Sequence, residues 1–187
     1  MYNRKDLLGL RDLSADEIMT ILNTAKEMKA KIDNPSLRDD SLSKSSIVTL
    51  FYENSTRTKM SFMLAGDYQG AIVKDLGVAT SSVSKGESLV DTGVTLDQMG
   101  INIMIIRHQM TGAAHLLAKN VKASVVNAGD GSNEHPTQAL LDLFTIMEKK
   151  GSFEGLKVVI LGDISHSRVA RSNDFGLTKL GAKVTLA

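Results

Sequence analysis

The sequence contains no cysteine, no tryptophan, only two prolines and few aromatic residues of any kind. Without cysteine there is no disulfide and no thiolate metal site, which fits a reducing cytoplasm. The scarcity of rings argues against surfaces that stack nucleic-acid bases. No apolar run is long enough to cross a bilayer. No secretory signal opens the chain, because Met1-Tyr2-Asn3-Arg4-Lys5-Asp6 is not followed by a long apolar core. A net charge of +1 gives no general attraction to nucleic acid or membrane, so any anion must be bound by a local cluster of basic residues. The phosphate loop of the nucleotide hydrolases, the dinucleotide glycine fingerprint, His-Glu-x-x-His and dense carboxylate clusters are all missing, and neither metal nor cofactor is expected. What is present is a globular composition, 42% hydrophobic and 23% charged over 187 residues. That length suits one large domain or two small ones.

The first strong signal is Ser14-Ala15-Asp16-Glu17, a capping box, followed by Ile18, Ile21, Leu22, Ala25 and Met28 at helical spacing. Asp33-Asn34-Pro35 ends that helix. Strands and helices then alternate: a strand over 47–53, a helix over 56–69 closed by Gly70, a strand over 71–76 and a Ser-rich loop over 77–86. A helix over 87–99, a strand over 101–106, a helix over 111–119 and a strand over 123–127 follow. The loop 128–134 leads to a helix that starts at Pro136 and runs to Lys149, with Leu140, Leu141, Phe144 and Met147 as its apolar stripe. This order predicts an α/β fold, a parallel sheet flanked by helices.

Lys150-Gly151-Ser152 reads as a boundary. A strand over 156–161, a helix over 169–180 and a strand over 182–186 begin a second α/β unit. Two parallel strands cannot bury both faces of a sheet, so this unit is expected to be incomplete, with the chain a fragment of a longer one or completed by another chain. The expected division is therefore 1–150 and 151–187.

In open α/β folds ligands sit at the carboxyl ends of the strands. The first such end carries Phe51-Tyr52-Glu53-Asn54-Ser55-Thr56-Arg57-Thr58-Lys59, a strand-to-helix turn with hydroxyls and a guanidinium at a helix N-terminus. That is a ready anion site. An ordinary N-cap made by Ser55 fits equally well. The other strand ends add Arg107 and His108, then His135 and Gln138, then His166 and Arg168. Several ends offering donors, with few carboxylates to answer them, suggest an anionic ligand. Bland alternatives stand beside each: Arg107 as a surface charge, His135 as a helix cap, Arg168 paired with Asp163, and His108, His115 and His166 as structural or surface residues. Asp142 either orients a neighbour or is solvated. The loop carrying Ser81 to Glu87 is either a surface loop or a lid that brings Lys85 to an anion.

Together, Ser55-Thr56-Arg57-Thr58, Ser81 to Glu87, Ile106-Arg107-His108, His135-Pro136-Thr137-Gln138-Ala139-Leu140-Leu141-Asp142 and Gly162-Asp163 to Arg168 resemble the carbamoyltransferase family, in order and over essentially the whole chain. Lys85-Gly86-Glu87 and the wording of 135–142 resemble its aspartate branch more than its ornithine branch. The resemblance implies that residues 1–150 are a carbamoyl-phosphate-binding domain and 151–187 the start of an aspartate-binding domain. It implies that Ser55, Thr56, Arg57, Thr58 and Arg107 hold the phosphate of carbamoyl phosphate. It further implies that Thr58, Arg107 and His135 contact the carbonyl oxygen, that Gln138 receives the carbamoyl amino group, and that Arg168 holds a carboxylate of L-aspartate. Ser81 and Lys85 would reach the site of a neighbouring subunit in a homotrimer, with higher assembly possible and no nucleic-acid or membrane partner. Gln109 and Lys59 stand where the family often has Pro and Arg. The parts of the second domain that complete aspartate binding lie beyond residue 187, so this chain alone is expected to bind carbamoyl phosphate with weak turnover or none.

Overall fold

A computed structural model describes residues 3–77 and 86–187. After an extended N-terminal segment come α1 (Ala15–Asp33), β1 (Ser46–Phe51), α2 (Thr56–Asp67), β2 (Ile72–Leu76), α3 (Leu89–Gln98) and β3 (Ile103–His108). These are followed by α4 (Ala113–Asn120), β4 (Ser124–Asp130), α5 (Pro136–Lys150), β5 (Lys157–Ile160), α6 (Arg168–Lys179) and β6 (Lys183–Leu186). Strands β1 to β4 form one parallel sheet in the order β2-β1-β3-β4, and β5 and β6 form a second parallel pair. No described helix is long and apolar enough to cross a membrane.

The expected alternation is therefore present, with boundaries moved by a few residues. The most consequential shift concerns 128–130, read as loop and found as the end of β4. The pairing of β3 with β4 slips between Ile106 and His108, so that Ile106 faces Asn127 while His108 faces Asp130. One extra residue on β4 thus sits at the rim of the sheet, where such bulges redirect side chains. Gly129, in this stretch, has φ +116° and sits against the Arg168 guanidinium, where a Cβ would lie 2.9 Å from two of its atoms. The position needs glycine on both counts.

Strands β1 and β3 are central and their apolar runs are covered on both faces. Val48, Leu50, Met104 and Ile106 pack with Ala114, Leu117 and Val125 on one side, while Ile47, Phe51 and Ile105 pack with Ala128 on the other. Contact between α3 and α4 is close enough that a Cβ on Gly93 would lie 2.2 Å from Leu117 Cδ1.

A third core crosses the Lys150-Gly151-Ser152 stretch. Ile18 and Leu22 of α1, Leu143 and Phe144 of α5, Phe153, and Leu177 of α6 pack together with Leu10 and Leu13. The small β5–β6 sheet is fastened to the rest of the molecule through this core. Val159 and Leu161, by contrast, are largely exposed.

The N-terminal segment was not legible as an element, yet it is tied in. Leu7 bridges Val126 beside β4, and Leu10 is fully buried. Its backbone is held by the buried Glu134 carboxylate, which accepts from the amides of Leu10 (2.7 Å) and Arg11 (3.3 Å).

Candidate functional site

Three helix N-termini and one strand end converge on a cleft of about 990 Å³. The α2 terminus supplies Ser55, Arg57 and Thr58, the end of β3 supplies Arg107, the α5 terminus supplies His135, Thr137 and Gln138, and the α6 terminus supplies Arg168. Residues from four separate places in the sequence thus face one space. Of the residues expected to act together, Thr56 is on the same turn as Ser55 but does not line the cleft. Ser81 and Lys85 lie outside the described residues.

The backbone at two of these helix ends is open toward the cleft. Ser55 occupies the N-cap position of α2 but its side chain accepts no amide hydrogen bond, so the ordinary-cap alternative for Ser55 does not hold. His135 occupies the same position before α5, also without a side-chain cap, and Pro136 follows it. The first amides of both helices therefore keep their partial positive charge for a ligand. Terminus α6 differs: Ser167 accepts from the amide of Ala170 and closes it conventionally.

One carboxylate answers the cationic groups, in keeping with the few expected from sequence. Glu53, two residues past β1, binds two of the three guanidinium groups. Its Oε2 accepts from Arg107 Nε at 3.0 Å and from Arg168 NH2 at 2.8 Å. Arg168 also donates to the Gly131 carbonyl at 3.2 Å. Asp163, the partner suggested for Arg168 by proximity in sequence, instead pairs with the exposed His166 at 2.9 Å. The cause is geometric: Arg168 is the first residue of α6 and points over Gly129 toward β1, away from the turn that holds Asp163. Burial raises the Glu53 carboxyl, but Arg168 and Arg107 outweigh it and hold it below the usual range. Among the described residues Arg57 has no ion-pair partner and is exposed. Three guanidinium groups against one carboxylate leave the cleft positive.

His135 is buried, at 6% exposure. Burial, with Arg107 and Arg168 nearby, pushes its pKa down to about 4. At neutral pH the ring is uncharged and offers one N–H and one lone pair. Its Nδ1 lies 3.4 Å from Thr137 Oγ1. If that hydroxyl donates to Nδ1, the Nε2–H is left to the cleft. The His135 amide donates to Ser172 Oγ at 3.0 Å, and Ser172 in turn donates to Glu134 Oε2 at 2.9 Å. The peptide that carries the imidazole is thus tied to α6 and, through Glu134, to the N-terminal segment. Gln138 Nε2 donates to Asp142 Oδ1 at 3.0 Å, so Asp142 does orient a neighbour. His108 is structural: its Nδ1 accepts from the Met110 amide and its ring packs on Tyr52.

Sequence reasoning missed Glu53, Thr137 and the Glu134–Ser172 pair. Glu53 had one usable signal, a carboxylate just past a strand end that is otherwise basic. The link between Ser172 and Glu134 spans 38 residues and leaves no local trace. The assembled group can grip a small phosphorylated anion, donate to an oxygen that gains negative charge, and accept from an amino group.

Comparison with known proteins shows the family. Residues 5–148 match the family model described as aspartate/ornithine carbamoyltransferase, carbamoyl-P binding domain. The aspartate carbamoyltransferase catalytic subunit of Ruminiclostridium cellulolyticum is 64% identical over 98% of this chain and 58% of its own length. Aspartate transcarbamoylase from Trypanosoma cruzi superimposes with a TM-score of 0.90 in its carbamoyl phosphate complex. The TM-score is 0.92 in its complex with N-(phosphonacetyl)-L-aspartic acid. These two structures are 31% and 32% identical to this chain, and each match covers 99% of it but 57% and 60% of theirs. The chain therefore spans about three fifths of the length of the relatives it matches. It belongs to the aspartate/ornithine carbamoyltransferase family, within which it carries the carbamoyl-phosphate-binding domain.

Proposed function

We propose that the chain forms the carbamoyl-phosphate-binding part of an enzyme that carbamoylates the α-amino group of L-aspartate, giving N-carbamoyl-L-aspartate and phosphate. The observation that carries this is the meeting of Arg57, Arg107, His135, Gln138 and Arg168 around one cleft. In this reading residues 1–150 bind carbamoyl phosphate and 151–187 begin the aspartate-binding domain. The T. cruzi structures support the substrate pair, since that protein is known in complex with carbamoyl phosphate and, separately, with both carbamoyl phosphate and aspartate.

Ser55, Arg57 and Thr58 take the phosphate together with the open α2 amides, to which Thr56 contributes its backbone rather than its side chain, and Arg107 reaches both phosphate and carbonyl. The amine attacks the carbonyl carbon, the C–O bond to phosphate breaks, and the amine proton leaves with the phosphate. Charge develops on the carbonyl oxygen and the departing phosphate, and fixed donors at those two points lower the barrier. Neutral His135 acts as a donor to the carbonyl oxygen rather than as a base. Gln138 accepts from the carbamoyl amino group, and Arg168 exchanges Glu53 for a substrate carboxylate. Holding both anions in register supplies the rest. No metal or cofactor has a part in these steps.

Ser81 and Lys85 are proposed to enter the site of a neighbouring subunit of a homotrimer in the cytoplasm, with higher assembly possible. Mixing Lys85→Ala with Arg57→Ala chains then restores a fraction of intact sites. No recovery in the mixture means that each chain builds its own site.

The decisive experiment is calorimetric titration of the folded chain with carbamoyl phosphate. Saturable binding is expected, weakened at least tenfold in Arg57→Ala, because a charge-assisted phosphate contact is lost. A folded chain that shows no binding refutes the proposal.

A further inference from the structure

Two side-chain amides converge on the single carboxylate of Asp142. Gln138, one helical turn earlier on α5, gives its Nε2 to Oδ1 at 3.0 Å, and Asn173 of α6 gives its Nδ2 to Oδ2 at 2.7 Å. An amide has a donor end and an acceptor end of nearly equal size, and what fixes which end faces a ligand is the partner at the other end. A carboxylate only accepts. It therefore selects the NH2 end of each amide and turns the oxygen away from itself.

For Asn173 this orientation is unfavourable in itself: its Oδ1 is buried without a hydrogen-bond partner among the described residues. A buried acceptor left empty costs stability. The arrangement persists because rotating the amide would set its oxygen against Asp142. Asn173 thus reports how strongly Asp142 imposes one direction. For Gln138 the same constraint has a different consequence, since Gln138 lines the cleft. With one Nε2–H given to Asp142, the end of the amide left for the cleft is Oε1, an acceptor.

We propose that Asp142 is a specificity-determining positioning residue, which locks the Gln138 amide so that its oxygen faces the cleft and selects an acyl phosphate that carries an N–H donor over one that carries a methyl group. This deepens the proposed function and rests on it. Asp142 touches no substrate and acts only through Gln138.

The test compares three probes on the full chain by calorimetry: carbamoyl phosphate, acetyl phosphate and inorganic phosphate. Acetyl phosphate matches carbamoyl phosphate except that a methyl group replaces the amino group. The wild-type chain is expected to prefer carbamoyl phosphate. Asp142→Asn offers Gln138 a donor as well as an acceptor, so the amide can turn over. Carbamoyl phosphate affinity should fall about tenfold, the scale of one hydrogen bond, while acetyl phosphate and inorganic phosphate change less than twofold. In a Gln138→Ala background Asp142→Asn should have no further effect on the preference. Should Asp142→Asn fail to fold, Asp142→Ser, whose hydroxyl also both donates and accepts, is predicted to behave alike.

Equal weakening of all three probes would show a merely structural role and overturn the proposal. Undiminished preference for carbamoyl phosphate in Asp142→Asn would overturn it too. A wild-type chain that binds inorganic phosphate but neither acyl phosphate fails the proposed function itself, and the proposal with it. That result differs from both of the others.

Discussion

Glu53 and Arg168 grip each other across the 115 residues that separate them in sequence, with the carboxylate of one against the guanidinium of the other at 2.8 Å and 3.4 Å. The pair joins the end of the first strand to the first turn of the last helix, and Arg107 shares the same carboxylate oxygen at 3.0 Å.

Replacing Glu53 therefore has two opposite effects. Glu53→Gln removes the charge that two guanidinium groups share, at side-chain exposures of only 15–22%. The fold should lose about 2 kcal/mol, the range for hydrogen bonds to charged groups, read as a lower midpoint in urea. Inorganic phosphate should bind more tightly, since the cleft gains net positive charge. Weaker phosphate binding in a folded Glu53→Gln chain would contradict the electrostatic account.

The His135 ring should make stability depend on pH in a predictable window. In the unfolded chain it takes a proton near 6.5, whereas in the folded chain burial and the two arginines hold it to about 4. Between these values the unfolded state binds more protons, so stability rises with pH there and is flat above. On lowering the pH from 7, this one group should cost up to about 3 kcal/mol by pH 4. The urea stability of wild type minus that of His135→Gln, followed from pH 7 to pH 4, isolates the effect. A difference that does not vary with pH would mean that the ring titrates normally. A bound anion beside the ring favours its charged form, so phosphate binding at pH 5 should take up protons in wild type and not in His135→Gln.

Thr49 is a hydroxyl flanked by the apolar Ile47, Val48, Leu50 and Phe51 of β1, and it is fully buried. It donates to Asp75 Oδ1 at 2.6 Å, and Lys59 of α2 meets the other oxygen at 2.9 Å. The two partners differ in burial, because the ion pair is about 30% exposed. Thr49→Val should therefore cost about 1.5–3 kcal/mol, and Lys59→Met less than about 1 kcal/mol. Thermal denaturation of the two variants tests the order. The reverse ranking would show that the lysine, rather than the buried hydroxyl, holds Asp75.

Much of this was legible in the sequence for a physical reason. Alternating buried strands and amphipathic helices are local patterns, and so the elements appear with their ends displaced by a few residues. Arg57, Arg107, His135 and Gln138 were legible as a group because a parallel sheet delivers all its strand ends to one rim, and Arg168 because it follows the first strand of the second parallel pair. What was illegible depends on pairing between distant segments. Nothing near Arg168 indicates Glu53 as its partner, and the adjacent Asp163 suggests the wrong one. Nothing in residues 3–13 indicates that Leu10 is buried or that Glu134 reaches back to hold it. The one-residue slip at Asp130 likewise exists only as a relation between two strands.

The uncapped starts of α2 and α5 carry a consequence for how this cleft can change over time. If the cleft holds an anion as proposed, part of that hold comes from peptide groups, and a substitution of one side chain for another leaves the peptide group in place. In the proposed reading, loss of Arg57 or His135 would weaken the grip without erasing it, because the helix-start amides stay in place when a side chain is exchanged. Proline is the exception, since it alone deletes an amide, and position 136 already has one.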